Sequence, residues 1–236
     1  MKTPHLPAGG WLPAVPPRLT AVQKYWLFRP GALTAGLRQL GEMRLRVLAE
    51  YAEGARPDEA LALRVAPGAA VWVREVLMSV DGIDSVVARS ITPLAASRAM
   101  WQGMRRLRTR PLADMLYHDS SVRRSPFVCR RLASPVPFHR TASGVAHASG
   151  EAGTSRVAGV SNASGVSSAS DVSDTPGVAG AASVSASGQL SAPVVLARRS
   201  VFWRMGQPLL VAEGFLPGFW ERARILHDSR YPVRRN

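Results

Sequence analysis

The sequence predicts a single α+β domain in which helices pack on an antiparallel β-sheet of about six strands. Two turn signals support this prediction, because Asp81-Gly82 and Gly206-Gln207 each lie between two apolar, β-branched runs, as in β-hairpins. The helix-like segments are grouped before the first hairpin and between the two hairpins, and they do not alternate with the strands as they would in a parallel sheet.

Four helices and six strands follow from the local patterns. Gly41 is expected to end the second helix, and Pro111 occupies a first-turn position in the fourth. Period-2 alternation and continuous β-branched runs predict the strands. The predicted helices are 18–26, 31–41, 95–106 and 111–119, and the predicted strands are 43–51, 71–80, 85–92, 125–132, 193–205 and 208–217.

Residues 141–192 differ in composition from the rest of the chain. Ser, Ala, Gly and Val dominate this segment, which contains no aromatic residue. Such a segment buries too little apolar area to offset the conformational entropy lost on ordering, so we predict a flexible insertion. The predicted organisation is one domain at 24–221 that contains this insertion, with a proline-rich segment at 1–23 and a basic tail at 222–236.

The chain is strongly basic, with a formal net charge of +14. The basic residues are spread along the chain, and they match no helix-turn-helix, zinc-finger or aromatic-basic pattern, so no nucleic-acid partner is expected. The densest cluster, at 105–110, is typical of a solvated face, with a phosphate-binding patch as the alternative.

The single cysteine, the histidines and the hydropathy pattern further limit the kinds of protein and of site that this sequence can form. Cys129 is the only cysteine, which excludes an internal disulfide and a thiolate cluster, and its surroundings are typical of a buried strand residue. The five histidines are scattered without ligand spacing, so no metal site is predicted. No apolar run reaches the roughly 18 to 20 residues that span a bilayer, and a cytoplasmic protein is expected.

Two arginines lie within the first predicted hairpin, in runs that otherwise resemble buried strands. A two-residue turn at Asp81-Gly82 would place Arg74 directly opposite Arg89, whereas a four-residue loop would pair Arg89 with Val76. Like charges opposite one another destabilise a sheet, and a buried charge needs a partner. We therefore expect an anionic group, either a glutamate or a ligand, between the two guanidinium groups.

Glu213 is a third charge in an apolar strand. Alternation puts it on the same face as Leu209, Val211 and Phe215, where a glutamate should be paired or have a raised pKa. An internal salt bridge with one of the two arginines and a ligand-binding site both remain open. Arginine binds carboxylates in a bidentate manner and glutamate accepts hydrogen bonds from hydroxyl groups, so the three residues suit a small ligand with both groups.

Four motifs around these residues resemble the chorismate pyruvate-lyase family. They are WVREVLMSVDG at 72–82, ARSITP at 88–93, RTRPLADMLY at 108–117 and GQPLLVAEGFLP at 206–217. Their order and the spacing between the two arginines are those of the family. The resemblance covers roughly 24–138 and 193–221, and the segment between these parts has no counterpart in it.

The resemblance implies roles for five residues. Arg74 would bind the ring carboxylate of substrate and product, with backbone groups of Leu33 and Leu112 beside it, and helix N-termini suit anions in general. Glu213 would hydrogen-bond the hydroxyl group at ring carbon 4 and, with Arg74, make up the catalytic pair. Because chorismate carries two carboxylates, we assign Arg89 to the second one.

The implied activity is elimination of pyruvate from chorismate to give 4-hydroxybenzoate, the first step of ubiquinone biosynthesis. Aromatisation of the ring drives this reaction, so no metal or organic cofactor is expected. The resemblance also suggests a monomer, and a weak contact with an anionic membrane surface stays open.

Two rival functions remain. The stronger is a non-catalytic carboxylate-binding module, because the sensor domains of some bacterial transcription regulators are similar to chorismate lyase. The presence of both arginines and the glutamate favours the enzyme. The second rival is a nucleic-acid or membrane binder, which only the net charge suggests.

Overall fold

A seven-stranded antiparallel sheet forms the centre of the protein. The computed structural model describes residues 10–14, 16–132, 138, 141, 142, 144, 145 and 195–230, with side chains to Ile225. The strands are β1 (Met43–Gly54), β2 (Ala70–Val80), β3 (Ile83–Pro93), β4 (Arg123–Arg124), β5 (Val128–Arg131), β6 (Leu196–Arg204) and β7 (Gln207–Phe215). Their order is β1-β2-β3-β7-β6-β4, and β5 also pairs with β6.

Six α-helices and one 3₁₀ helix accompany the sheet in the described part of the chain. They are α1 (Ala21–Phe28), α2 (Leu33–Arg38), α3 (Pro57–Leu63), α4 (Leu94–Arg98), the 3₁₀ helix (Gln102–Arg106), α5 (Ala113–Leu116) and α6 (Pro217–Arg230). A capping box between Thr20 and Gln23 begins α1. The predicted α+β class with an antiparallel sheet is confirmed, whereas α3, β4 and α6 were not predicted.

Both hairpins close with two-residue turns in which each residue has positive φ. The first turn is Asp81-Gly82, as predicted, with φ values of 46° and 79°. The second is Met205-Gly206, with φ values of 46° and 77°, one residue earlier than predicted. Tight hairpins prefer turns with positive φ at both positions, and the glycine takes the second of them.

A one-residue bulge at Ser85 sets the register of the first hairpin. The pairing runs from Val80 with Ile83 to Ser79 with Asp84 and then skips Ser85. Beyond the bulge, Arg74 lies opposite Ser90 and Glu75 opposite Arg89. The predicted opposition of Arg74 and Arg89 is therefore wrong, and so is the alternative pairing of Arg89 with Val76. Since successive residues face opposite sides of a sheet, the two arginines lie on different faces.

The sheet is covered on both faces. On the face of Arg74, α1, α2 and α6 share an apolar cluster with Val76 and Met78, and α5 packs in a second cluster with Phe202. On the face of Arg89, α3 packs over Val71 and Val73. A charged side chain on either face therefore lies in apolar surroundings and needs a partner.

Most of the predicted insertion, 141–192, lies outside the described residues. Of its four described residues, Ala142 is fully buried in one cluster with Leu77. The Thr141 hydroxyl donates a hydrogen bond of 3.1 Å to Glu75. These contacts attach the beginning of the segment to the face of the sheet that carries Arg89.

Candidate active site

The floor of the candidate pocket consists of two neighbouring rows of cross-strand partners from β2, β3, β7 and β6. One row is Arg74, Ser90, Val211 and Ser200, and the other is Val76, Ala88, Glu213 and Arg198. Leu33 and Thr34 of α2, the segment from Pro111 to Tyr117 and Phe127 complete the walls. Both rows lie on the same face because, in each strand, the members of the two rows are two residues apart.

Arg74 is buried in the first row and is held from one side. Its Nε donates to Glu50 Oε1 at 3.0 Å, and its Nη2 donates to the carbonyl oxygens of Arg108 at 2.5 Å and Arg110 at 3.5 Å. Burial lowers the pKa of Arg74, and the charge of Glu50 opposes this shift. Among the described residues Nη1 has no hydrogen-bond partner, so this nitrogen is available to a ligand in the pocket.

Glu213 and Arg198 face one another across β7 and β6 in the second row. Arg198 Nε donates to Glu213 Oε2 at 2.5 Å, and Nη1 donates to the carbonyl oxygens of Trp26 at 2.9 Å and Arg29 at 3.2 Å. The guanidinium also lies 4.2 Å from the ring centre of Phe127. Within the described part of the chain, Arg198 Nη2 and Glu213 Oε1 have no hydrogen-bond partner, so each can contact a ligand.

Smaller donors surround the guanidinium groups. Leu33 and Leu112 lie at the N-terminal ends of short helices and line the pocket, and their backbone N–H groups donate to none of the described residues. The hydroxyl groups of Thr34, Ser90 and Ser200 also line the pocket without a hydrogen-bond partner in the described ranges. The pocket thus offers several unpaired donors and one carboxylate oxygen.

Arg89 lies on the other face of the sheet, within an ionic network. Its Nε donates to Glu59 at 2.9 Å, its Nη1 donates to Glu75 and to the Tyr51 hydroxyl at 2.8 Å each, and its Nη2 donates to Glu53. All three nitrogens are therefore used, and the side chain is 2% exposed. The structure contradicts the predicted position of Arg89 at the ligand, because the bulge turns it away from the pocket.

The structure brings together the other four predicted residues, Leu33, Arg74, Leu112 and Glu213. It adds Arg198, which was not predicted. A turn at Gly206-Gln207 would have paired Glu213 with Ser200, whereas the observed turn at Met205-Gly206 pairs it with Arg198. Placing the turn one residue earlier in the sequence would have identified the pair.

Comparison with known proteins shows the family of the chain. The family model described as chorismate lyase matches residues 10–140. The chain belongs to the chorismate lyase family. A protein of Bordetella pertussis named probable chorismate pyruvate-lyase is 56% identical over 95% of this chain and 97% of its own length. Another so named, from Pseudomonas fluorescens, is 33% identical over 86% of this chain and 87% of its own length.

Solved structures of bacterial regulators are less similar in sequence to this member of the chorismate lyase family than these relatives are. The C-terminal domain of a histidine utilization repressor from Pseudomonas syringae has a TM-score of 0.43 and 13% identity, covering 83% of this chain and 98% of that domain. The effector domain of PhnF from Mycobacterium smegmatis has a TM-score of 0.42 and 12% identity, covering 79% and 89%.

Three further features of the described residues bear on the kind of site. None of their helices is long and apolar enough to cross a membrane. No group of three or more His, Cys, Asp or Glu side chains among them is arranged to hold a metal ion. Cys129 is buried in β5, and burial raises the pKa of its thiol.

Arg89→Met tests whether Arg89 is structural. This change leaves Glu53, Glu59 and Glu75 without their shared cation, so we expect the free energy of unfolding to fall by about 3 to 5 kcal/mol. Urea denaturation followed by circular dichroism measures it. Arg44→Met is the matched control, because Arg44 is a strand arginine paired with Glu42 in an exposed position, and we expect a loss below about 1 kcal/mol. A folded Arg89→Met protein of normal stability that no longer binds 4-hydroxybenzoate would contradict the structural role.

The pKa of Glu59 predicts a pH dependence of stability. Desolvation by burial raises this pKa above its ordinary value of 4.5, although hydrogen bonding to Arg89 opposes the shift. The folded protein then binds the proton more tightly than the unfolded chain, so the contribution of Glu59 to stability falls as pH rises from 4.5 through the raised pKa. Glu59→Gln removes this titration.

We therefore compare the free energy of unfolding of Glu59→Gln with that of the unsubstituted protein. The value for the variant minus the value for the unsubstituted protein should increase as pH rises above 4.5. Urea denaturation at a series of pH values measures the difference. The opposite slope would indicate that Arg89 lowers the pKa of Glu59 more than burial raises it.

Proposed function

We propose that this protein is a chorismate pyruvate-lyase that releases pyruvate from chorismate and leaves 4-hydroxybenzoate. One observation carries the proposal. A single pocket contains, in adjacent rows, an available guanidinium nitrogen on Arg74 and an available carboxylate oxygen on Glu213. Chorismate carries a carboxylate at ring carbon 1 and a hydroxyl group at carbon 4, so its two ends match these two groups.

The ring carboxylate binds to Arg74. Nη1 supplies one charge-assisted hydrogen bond, and the unpaired N–H groups of Leu33 and Leu112 supply neutral ones. At the other end, Glu213 Oε1 accepts a hydrogen bond from the hydroxyl group at carbon 4, while Oε2 remains bonded to Arg198. This arrangement orients the ring along the pocket floor.

The second carboxylate of chorismate binds to Arg198. The enolpyruvyl group is attached to carbon 3, next to the hydroxyl-bearing carbon 4, so its carboxylate lies at the Glu213 end of the ring. Arg198 Nη2 is available there, and stacking on Phe127 fixes the plane of the guanidinium. Arg198 thus takes the role that the sequence suggested for Arg89, whose three nitrogens all have protein partners.

The reaction breaks the bond between carbon 3 and the ether oxygen and removes the hydrogen from carbon 4. That hydrogen is needed at the methylene carbon of the enolpyruvyl group, which becomes the methyl group of pyruvate, while the ring becomes aromatic. It transfers directly in a concerted route or by way of Glu213 in a stepwise route. Holding the side chain over the ring contributes through orientation, up to about 7 to 11 kcal/mol in the best cases.

The family resemblance extends the proposal to the biological setting. In this setting the product enters ubiquinone biosynthesis, of which this reaction is the first step, and the enzyme acts as a monomer in the cytoplasm. Arg74, Arg198 and Glu213 perform the proposed steps by binding, orienting and proton transfer, so the reaction scheme uses side chains and backbone groups of the protein itself.

A turnover assay tests the proposal. Purified protein should convert chorismate to equal amounts of pyruvate and 4-hydroxybenzoate, followed by coupled pyruvate reduction and by chromatography. Arg74→Gln and Glu213→Gln should each lower kcat/KM about 10²- to 10³-fold, as removal of a group that stabilises developing charge does. Arg44→Gln, at an exposed strand position, should retain activity. Binding of 4-hydroxybenzoate without any pyruvate release would instead indicate a non-catalytic binding module.

The role of Arg198 is tested by comparing two ligands. Arg198→Gln should weaken chorismate binding more than 4-hydroxybenzoate binding, by about tenfold or more, since only chorismate carries the second carboxylate. The measurement is the ratio of the KM for chorismate to the inhibition constant of 4-hydroxybenzoate, both taken from the turnover assay. Arg199→Gln is the control, because Arg199 is the next residue in β6 but faces Asp58 on the opposite side of the sheet. If binding of both ligands were weakened equally, the role of Arg198 would be only to position Glu213.

A further inference from the structure

The interior of the pocket has no excess positive charge to attract a dianion. Arg74 is bonded to Glu50, and Arg198 is bonded to Glu213. Each cation is therefore balanced by a carboxylate within 3.0 Å. These groups recognise a carboxylate at short range, but their fields largely cancel at longer distances.

Positive charge without a balancing carboxylate lies immediately beside the pocket. The segment 105–110, which we name the arginine loop, contains Arg105, Arg106, Arg108 and Arg110, and all four side chains are exposed. In the described part of the chain none of them has a carboxylate partner within salt-bridge distance. The sequence contains no acidic residue between Asp84 and Asp114.

The arginine loop has a defined structure. Leu107 is buried in an apolar cluster, and the guanidinium of Arg105 lies 3.8 Å from the ring centre of Trp72. Arg108 has a φ of 50°, a left-handed conformation that is uncommon outside glycine. The six residues of the loop line a surface cavity of their own. The loop thus combines exposed arginines with a concave surface.

The loop and the pocket are joined through Arg74. The carbonyl oxygens of Arg108 and Arg110 accept hydrogen bonds from Arg74 Nη2, and Pro111, which follows Arg110 directly, lines the pocket. The backbone of the loop is therefore in direct contact with a pocket residue, and electrostatic interactions extend over a Debye length of about 8 to 10 Å in physiological salt. The charges on the loop act on a ligand as it approaches Arg74.

We propose that the arginine loop is a capture site for small organic dianions, which it delivers to the pocket. The inference rests on the proposed function in taking a dicarboxylate as the ligand. A positively charged rim beside a pocket of balanced charge raises the local concentration of the anion and its association rate, while the short-range contacts provide selectivity. The loop side chains contact the ligand before it binds and release it to Arg74 and Arg198.

The test is a charge-matched comparison of two double variants. Arg106→Gln with Arg108→Asn removes two charges from the loop, and it keeps the Arg108 carbonyl and a residue suited to positive φ. Arg46→Gln with Arg224→Gln removes two exposed charges elsewhere, from β1 and α6. Both proteins then have the same net charge, and thermal melting checks that both are folded.

For each protein, kcat and kcat/KM for chorismate are measured between about 20 and 300 mM NaCl, a range over which screening becomes strong. We expect the loop variant to lose about three- to tenfold in kcat/KM at low salt, with kcat nearly retained and a weaker dependence on salt. The control pair should follow the unsubstituted protein. Equal losses in both variants would overturn the proposal, because the effect would then belong to the overall charge.

The two proposals fail in different ways. If the unsubstituted protein releases no pyruvate, the proposed lyase activity is wrong. The capture site is then decided by the dissociation constant of chorismate, measured by calorimetry at low and high salt for the same variants. Unchanged affinity in the loop variant at low salt would overturn the capture site as well.

Discussion

A buried arginine needs a counter-charge and acceptors for its N–H groups, and this requirement governs both faces of the sheet. Desolvation of an unpaired cation costs several kcal/mol, roughly, so each such residue must be matched by carboxylates or carbonyl oxygens. Arg74, Arg89 and Arg198 are each at most 2% exposed, and all three are matched. They differ in how completely protein groups use their nitrogens, and this difference separates structural residues from residues of the candidate site.

Arg89 is the arginine whose nitrogens are all bonded to protein groups. Three glutamates and a tyrosine hydroxyl use all of its nitrogens, so the network connects β1, β2, β3 and α3 and leaves no donor for a ligand. Arg74 and Arg198 are each bonded to one carboxylate and to carbonyl oxygens, and each retains a nitrogen without a partner in the described part of the chain. The pocket arginines are therefore stably paired without a ligand, and each still has a nitrogen available for one. Charge balance in its interior also explains why long-range attraction must come from outside, and the arginine loop supplies it.

Much of the fold could be predicted because local signals are strong. The turn at Asp81-Gly82, the alternation in the strands and the long composition shift after residue 140 were sufficient for the class and the order of the main elements. Three elements were missed, namely α3, β4 and the fourteen-residue α6, and the first two are short. The helix α3 contains seven residues and β4 contains two, and segments of that length carry little periodicity. Glu59 lies on α3, so the network around Arg89 was not visible without it.

The sequence by itself determined the antiparallel α+β class, the family resemblance and four residues of the candidate site, because these depend on residue type and order. Only the tertiary structure decided which second arginine shares the pocket with Arg74 and Glu213. Side chains alternate with period two along a strand, so the bulge at Ser85 moves Arg89 to the opposite face, and the turn at Met205-Gly206 pairs Glu213 with Arg198. Shifts of one residue leave the sequence pattern almost unchanged, yet each one exchanges the residues that meet across the sheet.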